Sequence, residues 1–383
     1  MRVLILGAGF GGLTLATELE PLAASGAAEV TLVDRKDTFT MGFSMQWVLA
    51  GRRSRSEGDR PYSALLARHV RFLKDEVLGI DTSGRVVQTT QRALPYDRLV
   101  IALGAELAPG LVPGLSETGY NLCDFNSVMG LKAALEGQAS GTVLVAVASV
   151  PFKCPPAPYE YALLIDDMFR ARGTRDASRI LVTTPEPQPM PVAGKAVGEA
   201  VKSLLSERRI EFLPSHKPKA VDGVRRAVVY ENGVEVAFDI LGAMPPHRAP
   251  KVVRDAGLAD ASGFVPVDLW SLRTSIQDVY AVGDVAALKL PNGSPHPKAG
   301  IFAEEQARAV ARDLTKQIAG GMAERYSGRG VCFVDVGGER AAAAEADLLG
   351  EAGPRIELRA PTREGLLGKR EFERERFSRW FGG

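Results

Sequence analysis

The chain reads as an α/β protein of two Rossmann-like units followed by a short C-terminal α+β segment. Three observations carry that expectation. A short apolar run, Arg2 to Leu6, leads into Gly7-Ala8-Gly9-Phe10-Gly11-Gly12 and a helical pattern to about Leu22, the order of a strand, a glycine turn and a helix. A second strand–helix–strand series begins at Thr142, well inside the chain. The end of the chain carries a charged, aromatic helical stretch from Arg363 to Phe381.

With 383 residues the chain is long enough for two domains. Its 45% hydrophobic and 24% charged residues are ordinary for a globular protein, and 47 basic against 46 acidic residues leave a net charge of +1. That balance argues against a nucleic-acid partner held by counterion release, while leaving a locally basic face open. No apolar run is long enough for a membrane span, and the N-terminus starts on a strand without the charged and apolar regions of a signal peptide. The three cysteines, Cys123, Cys154 and Cys332, form neither a C-x-x-C pair nor a zinc pattern, so no metal is expected. An odd, sparse count suits a cytoplasmic protein, in which a disulfide is more often catalytic than structural.

In the first unit each glycine has a separate task. Gly7 permits the tight turn, Gly9 lets backbone approach a pyrophosphate, and Gly12 lets the helix pack closely. The helix N-terminus offers unpaired N–H groups and a positive dipole end. A second strand, Glu29 to Val33, ends on Asp34, placed 22 residues after Gly12 to accept from a ribose. Far downstream, Thr274-Ser275-Ile276-Gln277-Asp278-Val279-Tyr280-Ala281-Val282-Gly283-Asp284 resembles the second flavin motif of flavoproteins with two dinucleotide domains. In that group the matching aspartate binds the ribityl chain of FAD. Tyr96 to Gly104 resembles their third motif, a strand ending in a small-residue turn. FAD is therefore the expected cofactor, with Gly7, Gly9, Phe10, Gly11, Gly12, Asp34, Arg35, Val77, Ala102, Gly104, Gly283, Asp284, Lys298 and Gly300 as candidate binding positions. A helical run from Ile301 to about Gln317 would aim its N-terminus at the flavin's pyrimidine edge, as in those flavoproteins. Lys298 either adds its charge there or is a solvated loop lysine.

The second unit departs from this pattern. Its first strand, Thr142 to Val150, leads into Phe152-Lys153-Cys154-Pro155-Pro156-Ala157-Pro158-Tyr159-Glu160, with no glycine between Gly141 and Gly173. Such a turn cannot receive a pyrophosphate as the first does, and the prolines are expected to delay the helix until they are past. The unit otherwise keeps its pattern: a strand at Arg179–Thr184, a helix from Gly194 to Arg208, a strand near Glu211–Leu213, and a hairpin turned by Asn232-Gly233. The expected division is 1–108 and 241–318 for a FAD-binding domain in two parts, 109–240 for the second unit, and 319–383 for the C-terminal segment.

Cys154-Pro-Pro-Ala-Pro-Tyr-Glu160 resembles the cysteine motif of the sulfide:quinone oxidoreductase and flavocytochrome c sulfide dehydrogenase group. Pro245-Pro-His-Arg-Ala-Pro250, Pro297-Lys-Ala-Gly300, Cys332 in Gly-Val-Cys-Phe-Val, and the ending Phe372 to Gly382 resemble that group too. The resemblance implies a glutathione-reductase-like flavoprotein fold, with Cys154 and Cys332 forming a redox-active disulfide or polysulfide bridge on one face of the flavin. Hydrosulfide would attack that bridge, and the resulting thiolate would pass two electrons onward to a quinone. Glu160 matches the group's acid–base carboxylate; a plainer reading makes it a first-turn residue favouring its helix dipole. Cys123 matches a third cysteine and either relays sulfur or is a buried thiol. The group's histidine four residues later is Ser127 here, which leaves proton handling to Glu160 and His247.

Two alternatives stay open at this level: a flavoprotein subunit delivering electrons to a cytochrome, and an FAD-bound regulatory or scaffold protein without activity. The tail has six basic and four acidic residues between Arg363 and Phe381, with Phe377, Trp380 and Phe381 clustered. It either lies on a membrane surface, making a cytoplasmic protein peripheral, or docks on its own domain. Phe333, beside Cys332, is a candidate quinone wall. A homo-oligomeric state stays open.

Overall fold

The computed structural model describes residues 1–320 and 324–382, so 321–323 and 383 of the expected C-terminal segment lie outside the described residues. The chain begins with β1 (Arg2–Leu6), α1 (Phe10–Ala24), β2 (Glu29–Asp34), α2 (Ser44–Leu49), β3 (Arg71–Lys74) and β4 (Arg98–Ile101). β1 pairs in parallel with β2 and β4, and β2 with β3. Val3, Leu4, Ile5 and Leu6 are all buried, as a central parallel strand covered on both faces requires.

The second sheet takes β5 (Tyr120–Asn121), β6 (Gly141–Val147), β7 (Ser178–Thr183), β8 (Ile210–Leu213) and β9 (Ile240–Met244), in the order β5-β9-β6-β7-β8, all parallel. A helix, α3 (Ala157–Ala171), follows β6. The Asn232-Gly233 hairpin is present, and Pro218–Asp222 adds a third strand to it. Then β10 (Val279–Ala281) returns to pair with β4 and completes the first sheet. The helix α4 (Gly300–Ala319) packs on α1. Last come an antiparallel sheet of β11 (Arg329–Asp335), β12 (Ala341–Asp347) and β13 (Arg355–Leu358), and a long helix α5 (Arg363–Phe381).

One local expectation is corrected. α3 starts at Ala157, with Pro158 inside its first turn, rather than after the prolines. Proline lacks only an N–H there, where no helical partner exists, and its φ already suits a helix. Of the two readings of the tail, the aromatic residues follow the docked one. Phe377, Trp380 and Phe381 are buried, and the Trp380 ring stands edge-on to Phe10 and Phe39 at 5.4 and 5.3 Å. Leu66 N–H donates to the Trp380 carbonyl at 2.9 Å, and Arg376 grips Glu304 of α4 through two bonds of 2.8 and 3.0 Å. Among the described residues no helix is long and apolar enough to cross a membrane.

The Arg376–Glu304 pair gives the docking a measurable signature, since both side chains are buried. Arg376→Met should cost about 3 kcal/mol by leaving Glu304 with only the 3.6 Å contact to Arg308. The double variant Arg376→Met/Glu304→Met should recover most of that loss. Thermal unfolding midpoints of the two variants check the ordering.

Candidate functional site

The first glycine turn is a cradle that side chains would fill. A Cβ on Gly12 would stand 1.8 Å from the Gly7 carbonyl oxygen, and one on Gly7, at φ +98°, would stand 2.4 Å from that of Ala102. Gly9 has nothing within 4 Å of its Cβ direction, so the backbone there is open to a ligand. The α1 N-cap has no side-chain bond, and among the described residues no backbone carbonyl takes the N–H groups of Phe10, Gly11 or Gly12. Those are donors suited to a phosphate. Asp34, at the end of β2, accepts from Ala8 N–H at 2.7 Å and Lys36 N–H at 2.9 Å, fixing its carboxylate beside the turn. Ala102 follows β4 and Gly283-Asp284 follow β10, so these positions gather at the C-terminal ends of parallel strands. Gly104 and Gly283 both sit at positive φ, +67° and +75°. The residues present thus fit a dinucleotide. Arg35 is the outlier: it is exposed and pairs with Glu76 at 3.4 Å. Val77 lies half-buried on a neighbouring strand, and Gly300 lies under the Phe10 ring.

Lys298 is not a solvated lysine. Its buried ammonium donates to the carbonyls of Asp284 and Ala286 at 2.7 and 3.0 Å and lies 3.7 Å from the Phe264 ring centre. Burial pulls its pKa down to about 8. Its backbone carbonyl accepts from Cys154 N–H at 2.7 Å, and Lys153 and Lys298 form a parallel bridge. The cysteine turn of the second unit is thereby sewn to the loop that follows Asp284 in the first. Cys154 itself sits at φ +57°, a left-handed conformation that costs a non-glycine residue about 1 kcal/mol or more.

Cys332, on β11 opposite Ala344, comes to the same place from the C-terminal sheet. The two residues are half-buried with free thiols. Burial pushes both thiols up, Glu160 pushes them further, and Lys369 pulls them back; Cys332 also raises Cys154. Glu160 does not simply greet its own helix dipole. It is buried, and accepts from Lys369 Nζ at 2.6 Å, from Asp335 N–H at 2.7 Å and from Gln46 Nε2 at 2.9 Å.

Cys123 is a third thiol, which Cys154 feels more weakly than Cys332. It is buried against Met244 Sδ at 3.8 Å and His247 Nε2 at 4.0 Å, and burial raises its pKa to about 11. His247 Nδ1 donates to the Pro245 carbonyl at 2.7 Å, and burial lowers its pKa to about 4, so it is a neutral ring. Cys332 also lines a cavity of about 130 Å³, walled by Pro155, Pro156, Met190, Phe302 and Leu358 among others. Glu186 also lines it, its carboxyl raised to about 7 by burial.

Sequence reasoning missed Lys369, Gln46 and Asp335. One signal was available: Lys369, Phe372, Arg376 and Trp380 recur at i, i+3, i+7 and i+11, one stripe of a helix. The charges on that stripe belong to the buried face, not to solvent.

The model of the pyridine nucleotide-disulphide oxidoreductase family matches residues 1–147 and 167–309. The mitochondrial sulfide:quinone oxidoreductase of Mus musculus is 26% identical over 303 residues, covering 75% of this chain. The chain spans 66% of the length of that relative. The type II NADH:quinone oxidoreductase of Staphylococcus haemolyticus is 23% identical over 339 residues, covering 84% of this chain and 83% of its own. The solved sulfide:quinone oxidoreductase of Aquifex aeolicus superimposes with a TM-score of 0.86 at 25% identity, over 98% of this chain and 90% of its own. A family match over most of the chain, on a fold of two parallel sheets with a nucleotide cradle, means that the chain belongs to the pyridine nucleotide-disulphide oxidoreductase family.

Proposed function

We propose that the protein is an FAD-dependent oxidoreductase that oxidises sulfide to polysulfide or sulfur through Cys154 and Cys332 and passes the electrons to a quinone. The observation that supports this reading is a pair of cysteines from segments remote in sequence: Cys154 on a turn bonded to the loop that follows Asp284, and Cys332 near enough to push the Cys154 thiol up. Sulfide:quinone oxidoreductases among the relatives favour the same substrate pair.

Gly7, Gly9, Gly12 and the α1 N-terminus would hold the pyrophosphate of FAD, Asp34 a ribose, and Asp284 the ribityl chain. Bound there, the flavin supplies a two-electron acceptor. The residues of the chain do the rest. Hydrosulfide attacks one sulfur of a Cys154–Cys332 disulfide; the S–S bond breaks, leaving a persulfide on one cysteine and a thiolate on the other. Joining these into a trisulfide forms one S–S bond and releases one proton and two electrons. Further rounds lengthen the bridge by one sulfur each. The apolar cavity beside Cys332 gives such a chain a dry place to lie. On the opposite flank Phe43, Phe333 and Phe372 form an aromatic wall, with Phe372 6.1 Å from Phe43 and 6.3 Å from Phe333, suited to a quinone ring.

Three outcomes test the reading. Anaerobic sulfide should bleach the flavin of the wild-type protein and a soluble quinone should restore the colour, whereas Cys154→Ser and Cys332→Ser should each slow bleaching at least a hundredfold. Failure of sulfide to bleach the wild-type flavin would sink the reading. Gly9→Val should empty the cradle, seen as loss of the visible flavin spectrum from purified protein that still folds. Phe333→Ala should raise the KM for quinone several-fold while leaving the rate of bleaching by sulfide unchanged in stopped-flow traces.

A further inference from the structure

The charges around the thiols arrive on separate elements. Glu160 comes from α3, Asp335 from the end of β11, and Lys369 and Arg376 from α5. Cys154 feels Glu160, Cys332, Lys369 and, more weakly, Cys123; Cys332 feels Glu160, Lys369 and Arg376 and is bonded by the Phe333 backbone. Most of these groups are already committed. Arg376 is held by Glu304, and Asp335 takes Arg52 Nη1 at 2.8 Å and Trp47 Nε1 at 3.0 Å. Glu160 Oε1 accepts from two donors at once, Lys369 Nζ and Asp335 N–H, while Oε2 accepts from Gln46. Both oxygens of this carboxylate are thus already held by donors.

Lys369 is different. Its ammonium is buried, donates to Glu160 at 2.6 Å and to Gln46 Oε1 at 3.3 Å, and has the Phe43 and Trp47 ring centres at 5.2 and 5.8 Å. Two acceptors for three N–H groups leave one donor without a hydrogen-bond acceptor among the described residues. Burial alone would lower its pKa, but Glu160 and Asp335 outweigh burial and hold it above the ordinary lysine value.

We propose that Lys369 is the positioning residue of the thiol site, its ammonium offsetting the Glu160 carboxylate so that thiolate can form at Cys154 and Cys332. Glu160 is then the fixed counter-ion of that ammonium. The thiol site is incomplete until α5 docks and delivers this cation. The inference deepens the sulfide reading and rests on it only for the use that thiolate is put to.

The test therefore uses neither sulfide nor quinone. FAD-loaded protein is reduced with a phosphine, and the rate of iodoacetamide alkylation at Cys154 and Cys332 is followed by peptide mass spectrometry across pH. Lys369→Met should move the alkylation profile up by a pH unit or more, a tenfold slower reaction at fixed pH below the transition. Glu160→Gln should move it down, and Lys369→Arg should stay near wild type. Packing that has merely loosened hydrates the thiols in both variants and moves both profiles the same way. Shifts of the same sign, or an unmoved profile in Lys369→Met, overturn the proposal. The double variant Lys369→Met/Glu160→Gln leaves no unpaired buried charge, which guards against single variants that fail to fold. Its profile should lie close to that of wild type, and a shift of a full unit in either direction also overturns the proposal.

Discussion

One residue, Lys298, bonds three pieces of chain together. Its carbonyl takes the Cys154 N–H, its ammonium takes the carbonyls of Asp284 and Ala286, and α4 begins two residues later. The cost of burying that ammonium shows in its lowered pKa, and two carbonyls with the Phe264 ring offset it. Two sheets with separate cores can shift against each other; a backbone bridge between Lys153 and Lys298 sets where the thiol stands relative to the cradle. The left-handed Cys154 is tolerable for the same reason, since its N–H is bonded to Lys298 and its carbonyl to Ala157 N–H at 2.9 Å.

Buried ion pairs are weak contributors to stability but exacting ones, because removing either partner leaves a charge without water. Here they lie where the C-terminal segment meets the rest: Lys369 with Glu160, Arg376 with Glu304, Arg52 with Asp335. Each joins β11 or α5 to an earlier element. A docked helix held by apolar contacts alone could slide by a turn; one that must match two buried carboxylates has a single register. The aromatic rings then add area to a position that the charges select.

The elements of both sheets were legible because parallel strands buried on two faces read as unbroken apolar runs, as in Val3 to Leu6 and Val143 to Val147. The cradle was legible because Gly7, Gly9 and Gly12 answer to steric demands that act within six residues. Lys298 and Lys369 were not. A lysine in a loop and a lysine in a charged helix look solvated until tertiary contacts bury them, and neither Asp284 nor Glu160 announces such a partner from more than ten residues away. Cys123 was legible as a residue but not as a neighbour of Met244 and His247, which lie more than a hundred residues on.

The same distinction explains why the second unit offers a thiol where the first offers a cradle. At α1 the opening N–H groups are free and Gly9 leaves space before them. At α3 the opening turn has nothing to give: Ala157 N–H goes to the Cys154 carbonyl, Pro158 has none, and Tyr159 and Glu160 both donate to the Pro156 carbonyl at 3.1 and 3.0 Å. An acidic side chain stands in that turn as well. A phosphate arriving there would meet prolines, no free donor and a carboxylate, which is the reverse of an anion site. This stretch, 148–166, is also the internal gap in the family match. The absence of a glycine turn and the presence of the cysteine thus go together: backbone that in the first unit is open to a nucleotide is bonded here to Lys298.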